Sequence, residues 1–415
     1  MKPKTISFTT FILTTCVYLG YAYFQEVYTY ALTDSRLDAH QYIKQYNYFK
    51  GITPNYEVRF PFNTRILSAW LASKFPFSSV ENNFRAMNGI IIILTFSILV
   101  YFWKQLQIRT SLIFCGLFFL LFHWKGPIRM YLPDPANGDV LGYLISSLWL
   151  VLLNIKYKDV IFSFSKILNF REVSINVLFL LLAILGIMQK ESFLLIVLIT
   201  LFFNFQPNRL SLATLFMATL TFIPLILTPL ILSHFFPASN PDWWNNPVIS
   251  LARGVQRYAL NPALFLRLPV SWLFTFGGFL ILNLEFTNLK KPYTIHLTSY
   301  IIHFTSYITI TWFLLSVFAG GDTSRILMTA FPFIFTYLLL KLNNKPIWVE
   351  YFALIISLPF MRLFELEPDL GKFPQFSHRW CVECWSISES WGYLVYASVV
   401  FVIYFYLIRS KTFKF

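Results

Sequence analysis

Long runs of apolar residues set the limits on what this chain can fold into. They fall near 6–24, 84–103, 110–124, 140–155, 173–188, 191–205, 210–235, 269–286, 296–318, 326–341, 347–364 and 391–408. A bilayer's hydrocarbon core takes about 20 helical residues to cross, with a range of about 17 to 25. The runs therefore predict an all-α, polytopic transmembrane helical bundle of about twelve spans, good to one or two either way. A β-barrel is excluded, because stretches such as LIFCGLFFLLF do not alternate in polarity. Only 13% of residues are charged, against about 25% in an ordinary soluble domain, so lipid is the solvent the composition fits. The first run carries no small-residue cleavage site and reads as a retained helix. No linker or internal repeat divides the chain. A transmembrane module over 1–345 is expected, followed by C-terminal helices over 346–415 with a loop at 365–390.

Lysine and arginine in the connections orient such a bundle. With MKPKT in the cytoplasm, one face holds 16 basic residues and four acids (Asp159, Glu172, Glu285 and Glu350), and the other holds 17 basic residues and 15 acids. Both termini are then cytoplasmic, and the formal net charge of +14 is a topology signal that requires no nucleic-acid partner. The acids and the longest loops, near 25–83, 236–268 and 365–390, gather on the outer face. Short interfacial helices are expected in those loops, RILSAWLASKF being the clearest.

In TDSRLDAHQYIKQY (33–46), helical spacing stacks Asp34, Asp38 and Tyr42 on one face and Arg36, His40 and Lys44 on another. Two carboxylates at that spacing can share a proton or a cation and suit a general base. Alternatively Asp34 caps the helix and Asp38 is solvated. Arg59 and Arg65 flank RFPFNTR and either meet lipid phosphates or snorkel. Asp134, between two prolines, is expected to present its carboxylate outward, whereas Asp139 reads as a helix cap. Lys190 and Glu191 sit in a tight outer hairpin and, as direct neighbours, do not pair with each other. Asp322 and Arg325 in GGDTSR either open an anion-binding helix or form a cap and an i, i+3 pair.

These motifs, TDSRLDAHQYI, RFPFNTRILSAWLA, PDPANGD, KESFLLI and GGDTSRILMTAFP, together resemble the GT-C superfamily of polytopic glycosyltransferases. The resemblance implies an inverting transfer of a sugar from a polyprenyl-phosphate-linked donor to a glycan, lipid or protein acceptor at the outer face of a bacterial inner membrane. It makes Asp38 the first candidate for the general base and Asp34 the second, and Asp134 is counted with them as a catalytic candidate. Arg325, Arg65 and Lys190 are the implied phosphate contacts, and Arg59, His40, Tyr42, Glu191 and Asp322 are further candidates for binding substrate or phosphate. The Asp34-x-x-x-Asp38 spacing departs from the adjacent acidic pair of some relatives and leaves a divalent metal open. The alternatives are an O-antigen-type polymerase, which the arginines Arg253, Arg257 and Arg267 suit, and a transporter or flippase of lipid-linked saccharides, which near-uncharged spans disfavour. Cys381 and Cys384, in HRWCVECW, are read as a disulfide candidate in an oxidising compartment rather than as a zinc site.

Overall fold

A computed structural model describes residues 3–29, 37–162, 170–204, 226–240, 263–284, 296–318, 323–363, 365–369 and 386–409, with single positions at 256 and 260. Among the described residues all regular structure is helical. In chain order the helices are α1 (Pro3–Phe24), α2 (Asp38–Phe49), α3 (Leu67–Ala72), α4 (Val80–Gln105), α5 (Thr110–Phe122), α6 (Val140–Phe162), α7 (Phe170–Gln189) and α8 (Phe193–Asn204). They continue with α9 (Ala263–Ile281), α10 (His296–Phe318), α11 (Thr323–Met328), α12 (Phe331–Leu342), α13 (Trp348–Met361) and α14 (Ile387–Arg409).

Among the described residues, four helices are long and apolar enough to cross a membrane: Thr5–Phe24, Val80–Gln105, Thr298–Val317 and Ile387–Arg409. Shorter apolar helices of 10–17 residues, Ile226–Phe235 among them, stand where the other apolar runs were expected. The protein is thus an apolar helical bundle of membrane-protein type.

The ends of α4 show why the sequence starts and stops where it does. Ser79 caps it by accepting from Asn82 N at 3.1 Å, Glu81 sits in its first turn, and Lys104 in its last, each placed to offset the helix dipole. Inside the bundle, indole N–H groups find hydroxyls on neighbouring helices. Trp103 donates to Thr336 at 2.8 Å, Trp149 to Thr200 at 3.0 Å and Trp272 to Ser316 at 3.0 Å. Such pairs satisfy the one polar atom of a large apolar ring where water is absent. α9 kinks at Gly277, whose φ of +53° and lack of a Cβ let it sit against Ser357. Ser357 Oγ then accepts from Gly278 N at 2.8 Å, supplying a partner where the helix ladder is interrupted.

Both ends of the bundle carry ion pairs. At the end expected to be cytoplasmic, Arg109 at the start of α5 meets buried Glu350 of α13 at 2.6 Å. The opposite end is formed by the C-terminal ends of α1, α5, α7 and α13, the N-terminal ends of α4, α6, α8 and α12, and the short helices α2, α3 and α11. There the loop 123–139 is pinned inward: Arg85 of α4 donates to Leu132 O at 3.0 Å, Tyr28 N to Pro133 O at 2.9 Å, and Asn88 Nδ2 to Pro135 O at 2.8 Å. This fastening determines where the carboxylates of that loop point.

Candidate functional site

At the loop-bearing end, four distant stretches of chain converge on one charge network. Arg325, on α11, is its hub. Its Nη1 donates to Asp38 Oδ2 at 3.0 Å, its Nε to Asp139 Oδ2 at 2.8 Å and its Nη2 to Asn137 Oδ1 at 2.9 Å. Lys190 Nζ donates to the other oxygen of Asp139 at 2.7 Å. The planar guanidinium fork is suited to holding three acceptors at once, which a lysine ammonium would do with less directional order.

Asp139 is buried, 1% exposed at its side chain. Burial raises its carboxyl, but Lys190 and Arg325 overcome that and hold it well below the usual carboxylate range. The Tyr131 hydroxyl lies 3.4 Å from Asp139 Oδ2 and 2.8 Å from the Tyr143 hydroxyl. Asp139 does stand directly before α6, but the expectation that its side chain caps the helix is corrected: the carboxylate pairs with two cations from other segments. A small cavity of about 20 Å³, room for one water, lies beside Lys190 and is lined by Asp139, Gly142, Ser192 and Trp312.

Asp38 is the first residue of α2, and its carboxylate also lies 3.8 Å from Arg59. Asp38 and Arg59 form the accessible edge of the network, with side chains 34% and 36% exposed. The buried face of α2, with Ala39, Gln41, Tyr42, Gln45 and Tyr46, holds Asp38 there. Tyr42 packs edge-on to Phe62 at 5.6 Å and closes on Gly138, where an added Cβ would stand 2.6 Å from the tyrosine ring. It acts as a wedge between α2 and the 137–139 turn. His40 is half-buried on the same helix.

The second pairing is Arg65 with Glu191. Arg65 Nε donates to Glu191 Oε2 at 2.8 Å and Nη2 donates to Oε1, a bidentate contact, while the guanidinium lies 5.0 Å from the Phe62 ring centre. The Arg65 guanidinium holds the Glu191 carboxyl below its ordinary value, although that side chain is 55% exposed. Lys190 and Glu191 thus form their ion pairs with different partners, Asp139 and Arg65, as their adjacency predicts. Next to them Ser68 donates to Gln189 Oε1 at 2.9 Å and contacts Gly138 O at 3.0 Å, joining α3 to the α7 terminus and the 137–139 turn.

Asp134 does not point outward. The pinned loop turns it inward, its Oδ1 is buried without a hydrogen-bond partner, and its Oδ2 accepts from Asn137 Nδ2 only at 3.5 Å. Burial pushes its carboxyl up to about 6, against the pull of Arg325.

The structure thus brings together Asp38, Arg59, Asp134, Lys190 and Arg325, with the Arg65–Glu191 pair joined to them through Tyr42 and Ser68. Asp139 and Asn137 were missed as partners, although both flank the turn that the PDPANGD motif marked. Asp34, Asp322, Cys381 and Cys384 lie outside the described residues. Among the described residues no group of three or more His, Cys, Asp and Glu side chains is placed to hold a metal ion. No protein-family model matches the chain, and neither does any curated protein or solved structure.

Proposed function

We propose that this protein is an integral membrane glycosyltransferase with about twelve membrane crossings that takes a sugar from a polyprenyl-phosphate donor. On this reading both termini are cytoplasmic and the network faces the outside of a bacterial inner membrane. The observation that carries the reading is the convergence of Asp38, Asp139, Lys190 and Arg325, from separate segments, at the end of an apolar bundle. A donor with a hydrocarbon tail and a phosphosugar head needs that combination: lipid alongside, cations for the phosphate and a carboxylate for the acceptor.

Asp38 is the base. The acceptor hydroxyl attacks the anomeric carbon on the face opposite the phosphate, its proton passes to an Asp38 carboxylate oxygen, and the carbon–oxygen bond to phosphate breaks. The bonding pair leaves with the phosphate, whose growing charge is met by Arg325 and Lys190. In the structure Arg325 is already hydrogen-bonded to Asp38. A donor phosphate competes for the same guanidinium, so its arrival draws Arg325 away and leaves Asp38 able to accept a proton. Asp139, buried and ionised, remains to hold both cations in position.

The test is to incubate the purified, reconstituted protein with a panel of radiolabelled polyprenyl-phosphate hexoses and pentoses. Release of polyprenyl phosphate coupled to labelled product is expected with at least one donor. Inertness toward every donor, with the same membranes competent in a control transfer, would overturn the reading.

A further inference from the structure

Away from the charge network, an apolar groove of about 440 Å³ runs between α1 and α5 and is closed from above by the segment leaving α13. Val17, Gly20 and Tyr21 form one wall, Phe118 and Phe122 the other, and Leu363 the upper edge. Its volume lies within the roughly 300–1,000 Å³ of small-molecule sites. Gly20 keeps it open: a Cβ built there meets nothing within 4 Å, although a glycine inside a helix is disfavoured relative to alanine. Phe24 and Phe118 beside it are exposed, so the groove faces the surroundings of the bundle.

Cations stand beside its loop-bearing end, next to the lining residues Tyr21, Phe122 and Leu363. Lys125 Nζ and the Arg362 guanidinium each lie 4.6 Å from the ring centre of the buried Trp124. Arg129 lies 5.1 Å from the ring centre of Tyr21, which lines the groove. It also fastens the rim, donating to Phe122 O at 3.0 Å and to Arg362 O at 2.7 Å. Among the described residues, the Glu365 carboxylate bears on Arg129 and offsets part of this charge. The following acids reach the segment after α1: Tyr28 donates to Glu367, Thr29 N to Asp369 Oδ2 at 3.1 Å, and Asp369 N to Glu26 Oε2 at 3.2 Å.

We propose that this groove binds one anionic phospholipid, its hydrocarbon chain between α1 and α5 and its phosphate at Lys125 and Arg362. Charge complementarity selects the occupant: an apolar slot with cations beside its end matches a lipid that carries negative charge at the head. The site is separate from the Asp38 network and does not depend on the transferase reading.

Native mass spectrometry of the full chain, delipidated and then offered phosphatidylglycerol or phosphatidylcholine, tests it. The wild type is expected to retain one phosphatidylglycerol with a preference of roughly thirtyfold, the scale of two interfacial cations. The double variant Lys125→Gln/Arg362→Gln should lose the preference. Gly20→Phe, which fills the groove without a clash at Cβ, should lose both lipids while keeping the wild-type helical content. Equal retention of the two lipids by the wild type would overturn the proposal. So would undiminished phosphatidylglycerol binding by Gly20→Phe, or a dimer that this variant dissociates, since the groove would then hold a second copy of the chain.

Discussion

Arg325 and Asp38 stand 287 positions apart in the sequence and 3.0 Å apart in the structure. The same guanidinium holds Asp139 at 2.8 Å, so one side chain ties the exposed carboxylate to the buried one. That tie fixes the spacing of the two carboxylates.

Replacing Arg325 separates charge from geometry. Arg325→Lys keeps the positive charge but cannot span Asp38, Asp139 and Asn137 together, so transfer should fall by about a hundredfold, the scale of one lost preorganised donor. Arg325→Ala also removes one of the two cations on buried Asp139 and should cost roughly 3 kcal/mol in stability. Transfer rates and thermal melts of both variants check this. Wild-type transfer by Arg325→Lys would show that the fork is not needed.

Asp139 and Lys190 should behave as a coupled pair. Asp139→Asn leaves two cations facing a neutral amide, and a loss on the order of 3 kcal/mol is expected. A double-mutant cycle with Lys190→Met should show a coupling of about 1–3 kcal/mol. Because the folded state depresses the Asp139 carboxyl, its contribution is complete above the ordinary carboxylate range and is lost as pH falls toward the folded value. Acid sensitivity should therefore be smaller in Asp139→Asn than in the wild type, as read from melting curves.

Asp134 has the opposite sign. Its folded carboxyl is raised from 3.8 to about 6, so the protonated form favours the fold. Stability should fall as pH rises through that window and level off above it. Asp134→Asn should remove this slope and melt higher than the wild type near pH 7, by on the order of 1–2 kcal/mol after allowing for partial exposure. Melts across the window decide it, and an unchanged slope in Asp134→Asn would assign the titration elsewhere.

Much of this architecture is legible in the sequence, because apolar runs dictate helices wherever backbone groups must pair internally. The charged motifs were also legible as a set: Asp38, Asp134, Lys190 and Arg325 meet at one end of the bundle. Their partners were not. An acid at a helix start, such as Asp139, is explained locally by its own helix, and nothing in the neighbouring residues announces that Arg325 lies 186 positions away. Asp134 was misread for the same reason. Flanking prolines specify a turn but not which way it faces, and here Arg85, Tyr28 and Asn88 hold the loop inward. Tyr42, on the face of α2 expected to carry chemistry, is a packing wedge because Gly138 leaves room for its ring.

On the transferase reading, Asp38 takes the acceptor proton. This is tested most directly by comparing transfer and donor binding in Asp38→Asn. Binding of polyprenyl phosphate, read as a thermal shift, should persist, since the cations remain. Transfer should fall by at least about a hundredfold, the lower end of what a general base contributes. Transfer at the wild-type rate by a folded Asp38→Asn protein would contradict the assignment.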